Sequence, residues 1–383
     1  MNLTGSRLVT VTTEKDDVLN VRVILATSIS VFLLHLGMAP SVMGSPIAPF
    51  LDLSMDSQSP TVHGVRRGLS LLGDGKVPVT LDPPTEQQLL PFESMFQFQR
   101  IKSPLSIGHL FLVLYTPIGL ILLLIRGCCC FLVALIVPRV MTEAQMDRFH
   151  VARLFVWITG TRVRLVDEHL FEKGKNRAGI IVSNHISEFD AVAMLGITPA
   201  YILGYDFYKK MLFFKLLGDK AGLVYVPYVS RQQGNGAGRD AVRQIIVDRL
   251  ERGDKPLAAF PEGGLTNGRK GLLQYHKFLF SLDKTVQPLA IRASDGPFPV
   301  NINDETSTFL ANVLWYLFVP WHTYTVQFLP CTKAEPGEDP LVVAQRVMKM
   351  TAEALEQQAS PFMYRDKIAY TRYKTHQLKK SKK

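Results

Sequence analysis

With 383 residues the chain is long enough for one large domain with appendages, or for two domains. Its apolar content of 47% is high for a soluble enzyme, and the excess is concentrated in residues 107–137, which points to a membrane element. Four cysteines, three of them consecutive, exclude a disulfide framework and a zinc pattern, and no nucleic-acid-binding motif accompanies the formal charge of +10.

Residues 1–100 carry little pattern and are expected to be a largely disordered N-terminal extension. Within them, residues 23–34 form a short apolar run after Arg22, which reads as a signal-peptide core or a signal anchor. The membrane candidate follows at residues 105–138. Leu110 to Ile125 is uncharged, Arg126 interrupts, and Cys128 to Val137 continues. Arg100 and Lys102 precede the run, and Arg139, Arg148 and Arg153 follow it. Positive charge on both sides places both ends in the cytosol. With Pro117 inside the run, this favours a monotopic hairpin over a single tilted span, and a buried helix pair is the plain alternative. Cys128, Cys129 and Cys130 read either as small apolar filling or as palmitoylation sites at a membrane boundary.

Residues 150–335 alternate between short apolar strands and helices. Strands are expected at 162–167, 179–183, 200–203, 222–227, 256–260, 286–291 and 324–329. Helices are expected from Asp190, over 240–252, over 309–318, and over 340–358. Repeated strand–helix units imply an α/β fold, a sheet flanked by helices. Residues 339–383 are read as a C-terminal helix and a basic tail. From Pro361 onward eight Lys/Arg face one Asp, a net +7, which suits an anionic bilayer surface or a solvated tail.

Two motifs carry chemistry. The first is Ser183-Asn184-His185-Ile186-Ser187-Glu188-Phe189-Asp190, on a strand-to-helix turn. A histidine titrates near neutrality and can take a hydroxyl proton, and a carboxylate on its other ring nitrogen fixes tautomer and orientation. Without a partner motif, His185 would read as an ordinary turn histidine and Asp190 as an N-cap. The second is Phe260-Pro261-Glu262-Gly263-Gly264-Leu265-Thr266-Asn267-Gly268, after a buried strand. Gly263 and Gly264 allow close backbone approach to an anion, and Glu262 either binds a substrate hydroxyl or holds the turn. Arg231 is a candidate phosphate contact through its planar fork, and otherwise an exposed arginine. Pro288 reads otherwise as an edge-strand proline.

In order and spacing these motifs resemble the glycerolipid acyltransferase superfamily, over about residues 100–335. His185 and Asp190 match its histidine–aspartate motif, Phe260 to Gly263 its F-P-E-G block, and Arg231 and Pro288 two further blocks. The resemblance implies acyl transfer from acyl-CoA to a lysophospholipid hydroxyl, or else a non-catalytic lipid-droplet or quality-control factor that keeps the fold for lipid binding or docking. His185 and Asp190 would be catalytic; Arg231, Glu262, Gly263, Gly264, Thr266 and Asn267 would bind substrate. It implies no metal and no cofactor beyond acyl-CoA as co-substrate. One departure is Leu265, where many members carry arginine; lysophosphatidylcholine acyltransferases also lack it and carry Thr-Asn nearby.

Leu112–Gly119, Thr266–Leu273, Val286–Leu289 and Leu314–Pro320 further resemble the ancient ubiquitous protein 1 branch. That branch implies a protein of the cytosolic face of the endoplasmic reticulum and lipid droplets, with lipid and quality-control proteins as partners. The sequence offers no room for that branch's ubiquitin-binding CUE domain beyond the last helix, so the ubiquitin functions are not expected to transfer.

Overall fold

The computed structural model describes residues 92–171, 177–217, 220, 222–226 and 236–380. The apolar run 23–34, most of the N-terminal extension and Arg231 lie outside them.

Seven strands form one sheet: β1 (Thr161–Val166), β2 (Ile180–Ser183), β3 (Tyr201–Tyr205), β4 (Leu223–Val226), β5 (Leu257–Ala259), β7 (Val286–Ser294) and β8 (His322–Phe328). Their order is β1-β8-β7-β2-β5-β3-β4, parallel except between β7 and β8. A separate pair joins β6 (Gly271–Leu272) to β9 (Gln358–Ala359). The central strands are apolar on both sides, as a covered parallel sheet requires. Ile180 and Val182 enter one core with Leu257 and Ala259, while Ile181 and Ala258 enter the other. That is the two-residue alternation of a strand.

The first core is closed by α6 (Gly236–Arg252) through Ile246 and Leu250, and by α8 (Pro340–Leu355) through Val343, Val347 and Leu355. The second is closed by α4 (Asp190–Ile197) and α7 (Phe309–Phe318). Pro288 is not on an edge strand, because β7 lies between β2 and β8. It is tolerated because it falls just before the antiparallel pairing begins at Leu289, and its carbonyl still accepts from Leu329 N at 3.1 Å.

Ile107–Val140 is α1, a single 34-residue helix containing Pro117 and Pro138. The hairpin expected from the sequence is thus replaced by one unbroken helix. The reason is tertiary: α1 lies along the domain, and that packing offsets the N–H missing at each proline. Leu112 and Ala134 are fully buried, Tyr115 Oη donates to Phe318 O at 2.9 Å, and Lys220 Nζ donates to Pro138 O at 2.7 Å. Arg126, the interruption in the apolar run, is buried and faces inward. Its guanidinium donates to Leu317 O, Val319 O and Pro320 O at 3.1, 2.6 and 2.6 Å, satisfying carbonyls at the end of α7. Cys130 packs inward while Cys128 is exposed on the outer side.

Two short helices, α2 (Glu143–Arg148) and α3 (Val151–Ile158), connect α1 to β1, and α5 (Leu212–Leu217) packs beside α1. The basic C-terminal segment is mostly helix α9 (Tyr364–Lys380), and part of it is docked rather than solvated: Lys367 and Thr371 are buried.

Candidate active site

β2 and β5 are parallel neighbours, with Val182 beside Ala259. Their C-terminal ends therefore open onto the same edge of the sheet, where ligands bind in open α/β sheets. His185 stands three residues beyond Val182, and Glu262 three beyond Ala259, so the two sequence motifs meet.

They meet through His185. Its N–H donates to Glu262 Oε1 at 2.7 Å and its carbonyl accepts from Thr266 N at 2.8 Å. Its ring stacks on Phe260, with centroids 4.0 Å apart and planes inclined by 11°. On the other side, Nδ1 lies 2.9 Å from Asp190 Oδ2. The same oxygen accepts from Ile186 N and Ser187 N at 2.7 and 2.9 Å, so Asp190 closes the turn as well as orienting the ring. Asp190 is completely buried, whereas the His185 side chain keeps 21% exposure. With Nδ1 turned to the carboxylate, Nε2 is the ring atom left for chemistry, and it has no hydrogen-bond partner among the described residues.

Of the two roles open to Glu262, the geometry gives the second: it holds the turn. It is buried, and its other oxygen accepts from Leu273 N at 2.7 Å. Burial lifts its carboxyl to about 8, against the pull of those two backbone donors and of the Lys367 ammonium. Gly263 adopts φ +70°, a left-handed conformation suited to glycine. Thr266 is buried, and Asn267 reaches back to the start of the described chain. Its Nδ2 donates to Ser94 O at 2.6 Å and its N–H to Met95 O at 2.7 Å.

Sequence reasoning missed the groups around this turn. The ring of Tyr364 of α9 packs against Gly264, where an added Cβ would come within 2.4 Å of it. Lys367 Nζ donates to Leu265 O at 2.7 Å and pairs with Glu305 at 2.8 Å. Glu188, inside the first motif, accepts from Asn312 Nδ2 at 3.2 Å, and burial raises its carboxyl to about 7. The available signal was the aromatic pattern of Phe362, Tyr364, Tyr370 and Tyr373 within an otherwise basic segment, which marks a packed helix.

Residues 162–292 match the Acyltransferase family model. Curated relatives named lipid droplet-regulating VLDL assembly factor AUP1 align over most of the chain. The zebrafish (Danio rerio) protein is 29% identical over 74% of this chain and 63% of its own length. The Caenorhabditis elegans homolog is 26% identical over 71% and 65%. The human (Homo sapiens) protein is 26% identical over 70% and 60%. The chain is thus similar to the AUP1 proteins over most of its length, and residues 162–292 are similar to the acyltransferase family. It spans less than two thirds of the length of these relatives. A crystal structure of the 1-acyl-sn-glycerophosphate (LPA) acyltransferase PlsC from Thermotoga maritima aligns with 63% of this chain and 98% of its own. The TM-score is 0.44 and the identity 15%.

Proposed function

We propose that the chain acts at a lipid surface, the cytosolic face of the endoplasmic reticulum and of lipid droplets, and transfers an acyl group from acyl-CoA to a lysophospholipid hydroxyl. The observation that carries the reaction is the ring of His185, its Nδ1 held by Asp190 and its face stacked on Phe260, with Nε2 without a hydrogen-bond partner among the described residues. Nε2 takes the acceptor's hydroxyl proton as its oxygen attacks the thioester carbonyl. The new C–O bond forms, the C–S bond breaks, and the proton passes from Nε2 to the departing thiolate. The acceptor itself is the nucleophile, so no protein Ser or Cys is needed. Arg231 is carried over as the contact to the acceptor phosphate, and the Gly263–Gly264 backbone as the element lining its path.

The in-plane attachment rests on α1. The helix touches the domain from His109 to Pro138, about 44 Å at 1.5 Å per residue. An upright span would pull the folded domain into hydrocarbon. A helix lying along the surface keeps both chain ends on one side, which also suits the flanking positive charge.

The test is a screen: purified full chain with labelled acyl-CoA and a panel of lysophospholipids, scored for diacyl product. Acyl-CoA binding with no product from any acceptor would replace the enzyme with a non-catalytic lipid-surface scaffold. That second reading is favoured by Tyr364 and Lys367, which cover the Gly264–Leu265 side of the turn. Quality-control proteins are proposed partners in either case.

A further inference from the structure

α1 is apolar on two opposite faces. His109, Leu112, Gly119, Arg126, Cys130, Ala134 and Pro138 turn to the domain, whereas Leu110, Leu114, Ile118, Ile121, Ile125, Leu132, Ile136 and Val140 are exposed. On the inner face, near the middle of the helix, Arg126 abuts Gly160, where an added Cβ would fall 2.1 Å from the guanidinium, and it also binds Pro320 O. Beside these two anchor points stand two exposed tryptophans. Trp157 is three residues before Gly160 and 79% exposed; Trp321 follows Pro320.

Trp157 sits on α3, whose inner side is used. Val156 packs on Gly196, Phe155 meets Phe213, and Arg153 Nε donates to Gly196 O at 3.2 Å. Its outer side carries Trp157 and Leu154, preceded by the 65%-exposed Phe149. Exposed arginines lie along the same stretch of chain, Arg148, Arg162 and Arg164, with the Arg162 guanidinium 5.2 Å from the Trp321 ring centre. Tryptophan beside arginine is the composition of a membrane–water interface. The ring sits at headgroup level, and the guanidinium meets lipid phosphate.

We propose that Phe149, Leu154, Trp157 and Trp321 form a second lipid-contacting surface. It is tied to the middle of α1 through Arg126, takes a phospholipid leaflet as its partner, and fixes the roll and depth of α1. This deepens the lipid-surface reading and rests on it. Two of its consequences are specific: Trp157 lies at headgroup depth and the outer stripe of α1 lies deeper.

The test uses the full chain carrying W315F and W321F, so that Trp157 is the only tryptophan. It is reconstituted into phosphatidylcholine–phosphatidylserine vesicles with nitroxide groups placed shallow or deep in the acyl chains. Trp157 emission is expected to be quenched at least twofold more by the shallow nitroxide than by the deep one. Aqueous iodide is expected to quench it several-fold less than it quenches free tryptophan. A second reporter, L132W in the background W157F/W315F/W321F, should be quenched best by the deep nitroxide. Quenching of L132W by lipid, with Trp157 open to iodide, overturns this inference alone and leaves a face for a protein partner. Iodide access to both overturns the lipid-surface reading itself. If W315F impairs folding, Trp315 is retained: it is partly buried and adds the same background to every sample.

Discussion

The two halves of the candidate site are held by opposite means. The His185 turn is almost self-sufficient: Asp190 lies five positions after His185, and one of its carboxylate oxygens orients the ring and closes the loop. The glycine turn at 260–268 depends on distant chain. Ser94 and Met95 secure Asn267, Tyr364 covers Gly264, and Lys367 binds Leu265. The first half is built for placing a proton acceptor, and the second for keeping a left-handed glycine turn in place. Substitutions in the first should therefore change rate, and substitutions in the second should change stability.

Among the groups that hold the site in place, the largest effect should follow Asp190→Asn. The amide oxygen can still accept from Ile186 N and Ser187 N, but the charge that orients the imidazole is gone. The acyl-transfer rate should fall about 10²-fold or more, while the melting temperature, followed by circular dichroism, changes little. A large drop in melting temperature with rate retained would reverse the contrast between the two halves.

Glu262→Gln should behave in the opposite way. Glutamine has one acceptor oxygen for two buried backbone donors, His185 N and Leu273 N. The expected loss is about 2–3 kcal/mol of stability in a denaturant titration. Lys367→Met should cost about 2 kcal/mol by the same measurement, since Glu305 and Leu265 O lose a charged donor. If neither change is destabilising, α9 does not support the glycine turn.

A third effect, seen only as a pH dependence, concerns Glu188. Its carboxyl is raised from 4.5 to about 7, so the fold prefers it protonated. That contribution is present at low pH and fades as pH rises from 4.5 towards 7. Glu188→Gln should remove the dependence. The melting temperature of the wild type, relative to this variant, should fall between about pH 5 and about pH 8. A constant difference would mean that Glu188 is ionised throughout.

The same division explains what the sequence revealed. Strands such as 179–183 and 256–260 were readable because apolar runs bounded by turn residues need no partner to be recognised. The central dyad was readable because its spacing is local. Arg126 was not: it reads as a break in an apolar run, yet its partners are the carbonyls of Leu317, Val319 and Pro320, nearly two hundred positions away. The continuous α1 was missed for the same reason, because the contacts that keep it unbroken belong to α7 and α5. In the basic segment, charge masked packing: Lys367 is buried beside Glu305, and Lys374 pairs with Glu93.

The measurement that bears most directly on the account is turnover of labelled acyl-CoA by the purified full chain, wild type against His185→Ala, with the preferred lysophospholipid. The backbone bonds of residue 185 to Glu262 and Thr266 survive this substitution, so the variant should melt near the wild-type temperature. Its rate should be about 10²–10⁴-fold lower, the loss expected for a general base. Equal turnover by the two proteins would contradict the account, because it would leave the dyad without a role in the reaction.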